Sequence, residues 1–154
     1  CMQRYRLPVV RLAGILDAQD DALTGGIPND AHARALRDNK VWGALFDLNA
    51  RILSPGEPPL DPDLVHDAAI AYGAAVRRLW TEDAEMRNDI TEEAAAALAR
   101  VRVSQPAIAP AMRAALLPVA LVEAYLQCTP GLDQGPSELA KAWAMLKAKL
   151  RGRV

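Results

Sequence analysis

Three groupings of residues in this chain are of types that could do chemistry. The first is acidic: Glu82, Asp83 and Glu85, with Asp89 just beyond. Carboxylates one helical turn apart lie on one face and can share a divalent cation. Asp83 and Arg87 stand at i, i+4, so a local ion pair is the simpler expectation for Asp83. The second grouping is Arg77-Arg78 beside Trp80, with Tyr72-Gly73 one to two turns before it. Guanidinium forks bind phosphate or a partner's carboxylate. The plainer expectation is a solvated helix edge with Trp80 in the core. The third is the C-terminal run Lys141, Lys147, Lys149, Arg151 and Arg153. Cations near a helix C-terminus are favoured by the macrodipole. The other reading is contact with an anionic membrane surface or an acidic subunit, with Trp143, Leu146 and Leu150 supplying an apolar stripe to dock with.

Other chemistries find little material. His32 and His66 are 34 residues apart, with no cysteine or carboxylate cluster joining them at metal-ligand spacing, so both read as surface histidines. Ser54, Ser104 and Ser137 fall at expected helix ends, where serine caps or stops. Gly25-Gly26 is too short for a phosphate loop, and Lys40 is remote from it. No cofactor or metal is therefore expected. The chain carries 18 basic and 19 acidic residues, so it has no cationic excess with which to neutralise a nucleic-acid backbone. Cys1 and Cys128 make neither a disulfide framework nor a zinc set, and so few cysteines point to a reducing compartment. The chain opens on Cys1-Met2, which implies a processed, trimmed or fragmentary N-terminus. No signal peptide is visible. The longest apolar stretch, residues 114–126, holds Pro118 and Glu123 and falls short of the roughly 20 residues of a membrane span.

The elements that must position these residues are helices. Hydrophobic residues make up 51% of the chain and aromatics only 5%, so the apolar content is mostly Ala, Leu and Val. That composition favours closely packed helices, and 154 residues suffice for one domain with a core. The expectation is a single all-α domain over residues 1–154, a compact bundle of about six helices. The first helix covers about residues 7–23, followed by a Gly-Gly turn. The second covers about 31–53, capped by Asn29 or Asp30 and stopped by the proline-rich stretch that follows Ser54. Asp61 at N-cap with Pro62 at N1 starts the third, running to about Trp80. A short break or a second cap over 81–83 precedes an alanine-rich helix opening at Asp89 and closing near Val103, before Pro106. The next runs over about 109–127, with Pro118 kinking it around Ala95–Ala99. Ser137 caps the last, to about Arg151.

Several segments, in order, resemble the C-terminal half of the squalene/phytoene synthase family. They are Arg4-Tyr5-Arg6-Leu7-Pro8, then Leu16-Asp17-Ala18-Gln19, then the run from Gly43 to Leu53. Ala68-Ala69-Ile70-Ala71-Tyr72-Gly73 and the run from Ala115 to Leu126 follow. The resemblance covers most of residues 4–127 and implies part of the isoprenoid synthase fold. The family's enzymes hold Mg²⁺ and a diphosphate between two acidic motifs. The first half of that fold, with its motif, is missing here. The positions of the second motif fall near Gly73, Val76 and Leu79-Trp80, none of which is a metal ligand. The chain is similar in this respect to a divergent, non-catalytic group linked to assembly of mitochondrial respiratory complex I. A shorter likeness, through Asn39-Lys40-Val41-Trp42 and the helix after it, is to a bacterial regulator of flagellin synthesis.

The resemblance implies a non-catalytic helical protein that acts as a subunit or assembly factor of a larger, respiratory complex. Its compartment would be the mitochondrial matrix, the inner-membrane periphery or a bacterial cytoplasm. The binding residues so implied are Tyr72, Gly73, Arg77, Arg78, Trp80 and Tyr125, with Tyr72, Trp80 and Tyr125 at or near the partner surface. Two alternatives stand beside it. One is a prenyl-diphosphate transferase, or a fragment of one, with Asp83 and Asp89 serving the metal. The other is a lipid or isoprenoid carrier with a groove along Ala69, Gly73, Val76, Leu117 and Leu121.

Overall fold

The computed structural model describes residues 30–54, 56–129 and 135–154. The expected first helix, its following turn and the first two segments of the family resemblance lie outside these residues. Among the described residues the chain is all-helical, without strands, in a compact bundle. Helix α1 is Ala31–Leu53, α2 is Pro62–Trp80 and α3 is Ala84–Ser104. A fourth rod over 110–126 is composite, and α6, Glu138–Arg151, is the last.

Local chemistry sets the helix starts. Asp30 accepts from the His32 amide at 3.0 Å and Asp61 from the Asp63 amide at 3.0 Å, with Pro62 at the first helical position. Asp83 caps α3 through the Met86 amide at 2.7 Å. That cap moves the start of α3 five residues ahead of the expected opening at Asp89. It also takes Asp83 away from Arg87. The Arg87 guanidinium reaches back to the carbonyl of Thr81 at 2.9 Å and that of Glu82 at 2.7 Å. The expected Asp83–Arg87 ion pair is therefore replaced by a cap and a bridge across the α2–α3 turn.

Helix α2 lies at the centre, packed against α1, α3 and the fourth rod. Its buried residues, Leu64, Ala68, Ala69, Ala71, Gly73, Ala74, Ala75 and Leu79, spread around much of its circumference. Helix α3 returns antiparallel to it, burying Ala94, Ala97, Leu98 and Val101 at i, i+3, i+4, i+7. The antiparallel sense is fixed at both ends. Arg100 Nε donates to Asp67 at 2.8 Å near the start of α2, and Arg78 Nε to the Thr91 hydroxyl at 3.0 Å near its end.

The fourth rod comprises α4, Pro110–Arg113, a 3₁₀ stretch, Ala114–Leu121, and α5, Val122–Leu126. The expectation here was an α-helix kinked at Pro118. Pro118 instead lies inside the tighter 3₁₀ turns, which spread the distortion over eight residues. The rod lies chiefly on α1, α2 and α6, and its smaller contact with α3, through α5, cannot engage the whole 95–99 stretch. The reason is the phase of α3: Ala95, Ala96 and Ala99 face solvent, while Ala94 and Ala97 face the core. Leu116, Val119 and Val122 are fully buried on this rod.

Because Ala97 is fully buried in the core cluster, Ala97→Leu has no space to occupy. We predict a loss of about 1–3 kcal/mol in denaturant unfolding from this overpacking. Ala95→Leu, one turn-face away in solvent, should stay within about 0.5 kcal/mol. Equal effects of the two would mean that the phase of α3 is misassigned.

Candidate functional site

The residues singled out in the sequence fall into three places. Tyr72 and Tyr125 come together. Their rings meet edge-to-face with centroids 5.9 Å apart, and Trp42 stands against Tyr72 at 4.6 Å. Phe46 completes the cluster at 6.4 Å. Edge-to-face pairs of this kind add about 0.5–1.5 kcal/mol each beyond area burial. The cluster ties α1, α2 and α5 together, and both tyrosines are half-buried. Burial, then the proximity of Tyr125 and a hydrogen bond with it, pushes the Tyr72 phenol up to about 12 from 10.0.

Gly73, Arg77 and Arg78 form the second place. A Cβ on Gly73 would meet Asn39 Oδ1 at 2.8 Å and Trp42 Cδ1 at 3.2 Å, so the glycine permits a close approach of α1 to α2. Arg77 donates to that same Asn39 oxygen at 3.2 Å and to Glu93 at 3.1 Å. It thereby links α1, α2 and α3. Arg78 donates to Thr91 and, at 2.9 Å, to the carbonyl of Cys128 beyond α5. The expected solvated edge is thus a polar seam: both arginines are spent on protein acceptors. They hold helices together and present no open anion fork. Sequence reasoning missed Asn39, Thr91 and Glu93. Asn39 alone carried a signal, as a polar residue three positions before Trp42 on the buried face of α1.

Trp80 is the third place, apart from the others. It is 68% exposed at the end of α2, and so is not the core residue its neighbours imply. Asp61 and Asp83 are occupied as helix caps, and Asp89 is exposed. Among the described residues no group of three or more His, Cys, Asp or Glu is placed to hold a metal ion. His32 and His66 are both exposed.

The five residues expected to line a groove are mostly packed instead, with Val76 and Leu117 half-buried. Ala69 and Leu121 are buried, and the space beside Gly73 is filled by Asn39 and Trp42. Two concavities exist elsewhere. One, of about 540 Å³, lies between α1 and the start of α2, lined by Leu36, Gly43, Leu60 and Val65 among others. The second, of about 810 Å³, runs between α6 and the ends of α3 and α5. It is lined by Arg102, Arg113, Lys147, Arg151 and Arg153, with Trp143 at its side and Glu123 facing them.

Large exposed apolar side chains gather at α6. Leu139 is 80% exposed, Trp143 64%, Leu146 46% and Leu150 78%. The same helix buries Ala148. It is well capped. Ser137 Oγ accepts from the Ala140 amide at 3.2 Å. Gly152, at φ +64°, closes it with amide bonds from Gly152 to Lys149 and from Arg153 to Ala148, the paired bonds of a Schellman ending. The outward apolar face is therefore rigid in the folded chain. No protein family, curated protein or solved structure matches this chain. No helix among the described residues is long and apolar enough to cross a membrane.

The seam and the aromatic cluster each carry a prediction. Gly73→Ala gains about 1 kcal/mol of helix propensity and meets an overpacking cost of about 1–3 kcal/mol. The net should be destabilising, because Arg77 holds the Asn39 oxygen that would have to move. In an Asn39→Ala background the penalty should shrink, and a double-mutant cycle in denaturant measures it. The second prediction concerns pH. The Tyr72 phenol keeps its proton to about 12 when folded and loses it near 10.0 when unfolded. Stability is therefore fully present below pH 10.0 and falls as pH rises through about 12. Tyr72→Phe should flatten that alkaline fall in melting temperature; an unchanged slope would mean that another group carries it.

Proposed function

We propose that this chain is a non-catalytic helical protein that works by docking into a larger assembly, as a subunit or assembly factor. The observation that carries the reading is the outward face of α6. Contiguous apolar patches of this kind on a rigid element usually mark partner surfaces. The residues Leu139, Trp143, Leu146 and Leu150 are more exposed than large apolar side chains need be, while the helix turns alanine inward. Trp143 has the character of an interface anchor, since tryptophan is enriched among residues that dominate binding energy. Exposed Trp80 remains a further candidate contact from the sequence. The ordered likeness of residues 43–126 to squalene/phytoene synthases, without acidic ligands at the matching positions, supports a non-catalytic descendant of that family in a respiratory or related complex.

The test is made in native extracts of source cells. The chain should migrate well above its monomer mass with one or more stoichiometric companions. Leu146→Asp with Leu150→Asp should release it to monomer, with thermal stability within about 0.5 kcal/mol because both side chains are exposed. A chain that is monomeric in the native extract overturns the reading. Magnesium-dependent turnover of farnesyl or geranylgeranyl diphosphate by the purified chain would overturn its non-catalytic half.

A further inference from the structure

The apolar face of α6 has a specific pattern. Leu139, Trp143, Leu146 and Leu150 follow one another at spacings of four, three and four residues. That is the a/d repeat of a coiled-coil seam, with Leu139 and Leu146 at d and Trp143 and Leu150 at a. At 100° per residue the four side chains fall within about 60° of one another, a narrow seam rather than the broad face of a helix that lies in a membrane interface. The f position, opposite the seam, is Ala148, which is buried against the body of the protein. The helix is therefore mounted by its back, with its seam presented outward.

The positions flanking the seam are Ala140 and Lys147 on one side, Ala142 and Lys149 on the other. None is acidic. From Ser137 to the C-terminal residue there are five cations, Lys141, Lys147, Lys149, Arg151 and Arg153, against the single carboxylate of Glu138. Glu138 is taken by Lys141 at 2.7 Å. Among the described residues Lys147, Lys149, Arg151 and Arg153 have no side-chain ion pair. Lys147, Arg151 and Arg153 also line the 810 Å³ groove beside the seam. A second copy of this chain would bring the same cations together within about 8 Å, the Debye length at physiological salt, and the groove's carboxylate, Glu123, is already held by Arg102 at 2.7 Å.

We infer that the occupant of this face is an acidic amphipathic helix of a partner protein, with an apolar a/d seam flanked by glutamate or aspartate. It would lay its seam on Leu139, Trp143, Leu146 and Leu150 and its carboxylates on Lys147, Lys149 and the cations of the adjoining groove. Helix-in-groove docking of this kind is read as i, i+3, i+4, i+7 anchors, and flanking charges set partner choice. Because α6 is already capped and mounted, only the partner's helix has ordering left to do.

This inference rests on the docking function proposed above, and the experiment separates the two. The intact chain is titrated with two synthetic three-heptad peptides that share leucine at a and d and differ at e and g, glutamate in one and lysine in the other. Calorimetry reads the binding, with the chain's tryptophan fluorescence beside it. The glutamate peptide should bind at least about tenfold tighter than the lysine peptide, and high salt should erode the difference. Lys147→Glu with Lys149→Glu should invert the preference, an effect no folding defect can mimic. Trp143→Ala should abolish binding of either peptide. Equal affinity for the two peptides overturns the acidic partner. So does binding of phosphatidylserine vesicles where neither peptide binds, or concentration-dependent self-association in light scattering. If the native complex forms but survives the double charge reversal, docking stands and the acidic helix fails. If no native complex forms, the docking function itself has failed.

Discussion

The close encirclement of α2 is the constraint on which the rest of the structure depends. A helix with neighbours on three sides can be surrounded at short distance only if its side chains are small. Ala68, Ala69, Ala71, Ala74 and Ala75 meet that requirement, and Ala94 and Ala97 answer it from α3. Gly73 takes it furthest, where α1 comes so near that a single methyl would collide with Asn39 and Trp42. Each buried methyl contributes only about 0.8 kcal/mol from the hydrophobic effect. A core of alanines thus gains its stability from the number and closeness of contacts more than from the bulk of any one side chain. Leu116, Val119 and Val122 on the fourth rod supply the larger pieces, and the aromatic cluster about Tyr72 joins α1, α2 and α5.

A thin core leaves ends to be secured by other means, and arginine does this repeatedly. Arg87 bridges the carbonyls of Thr81 and Glu82 at the α2–α3 turn. Arg113 donates to the carbonyls of Ile108 and Pro106, where proline-punctuated backbone leaves acceptors without helical donors. Arg78 reaches Cys128, and Arg102 reaches Val154 at 3.0 Å and Glu123 at 2.7 Å. A guanidinium offers five donors in a fixed fork, so one side chain can hold two elements at once. Cations that in sequence look like free charge are, over residues 77–113, spent on the protein's own carbonyls and side chains. This sharpens the contrast with residues 147–153, where the cations have no such internal duty.

The helix starts were legible in the sequence because their chemistry is local. Asp61-Pro62 and Ser137 state their roles within three residues, and both caps fall at the expected positions. Where two local signals competed, the sequence could not arbitrate. Asp83 was free either to pair with Arg87 or to cap α3; the cap won, and Arg87 turned to carbonyls across the turn. Pro118 was legible as a distortion, but its form, 3₁₀ turns over Ala114–Leu121, depends on what α1, α2 and α6 leave room for. The polar seam was least legible of all. Arg77, Asn39 and Glu93 lie 38 and 16 positions apart along the chain, and nothing short of the packing brings them together.

The same size selection bears on α6. Its inward face must settle against a body already filled with small residues and a short aromatic cluster, and Ala148 does so. The helix carries four large apolar side chains that stay exposed instead of entering this body. A helix whose seam served only its own domain would turn leucine inward and lysine outward. Here leucine faces outward with lysine beside it and alanine faces inward, while caps at Ser137 and Gly152 hold the helix in register. Exposed leucine at 78–80% accessibility favours aggregation unless something covers it. Lys147 and Lys149 beside it surround the seam with positive charge, which would favour an oppositely charged surface over a like-charged one. One short helix thus sets an exposed apolar stripe beside positive charge, at Lys147 and Lys149, that no carboxylate among the described residues pairs with.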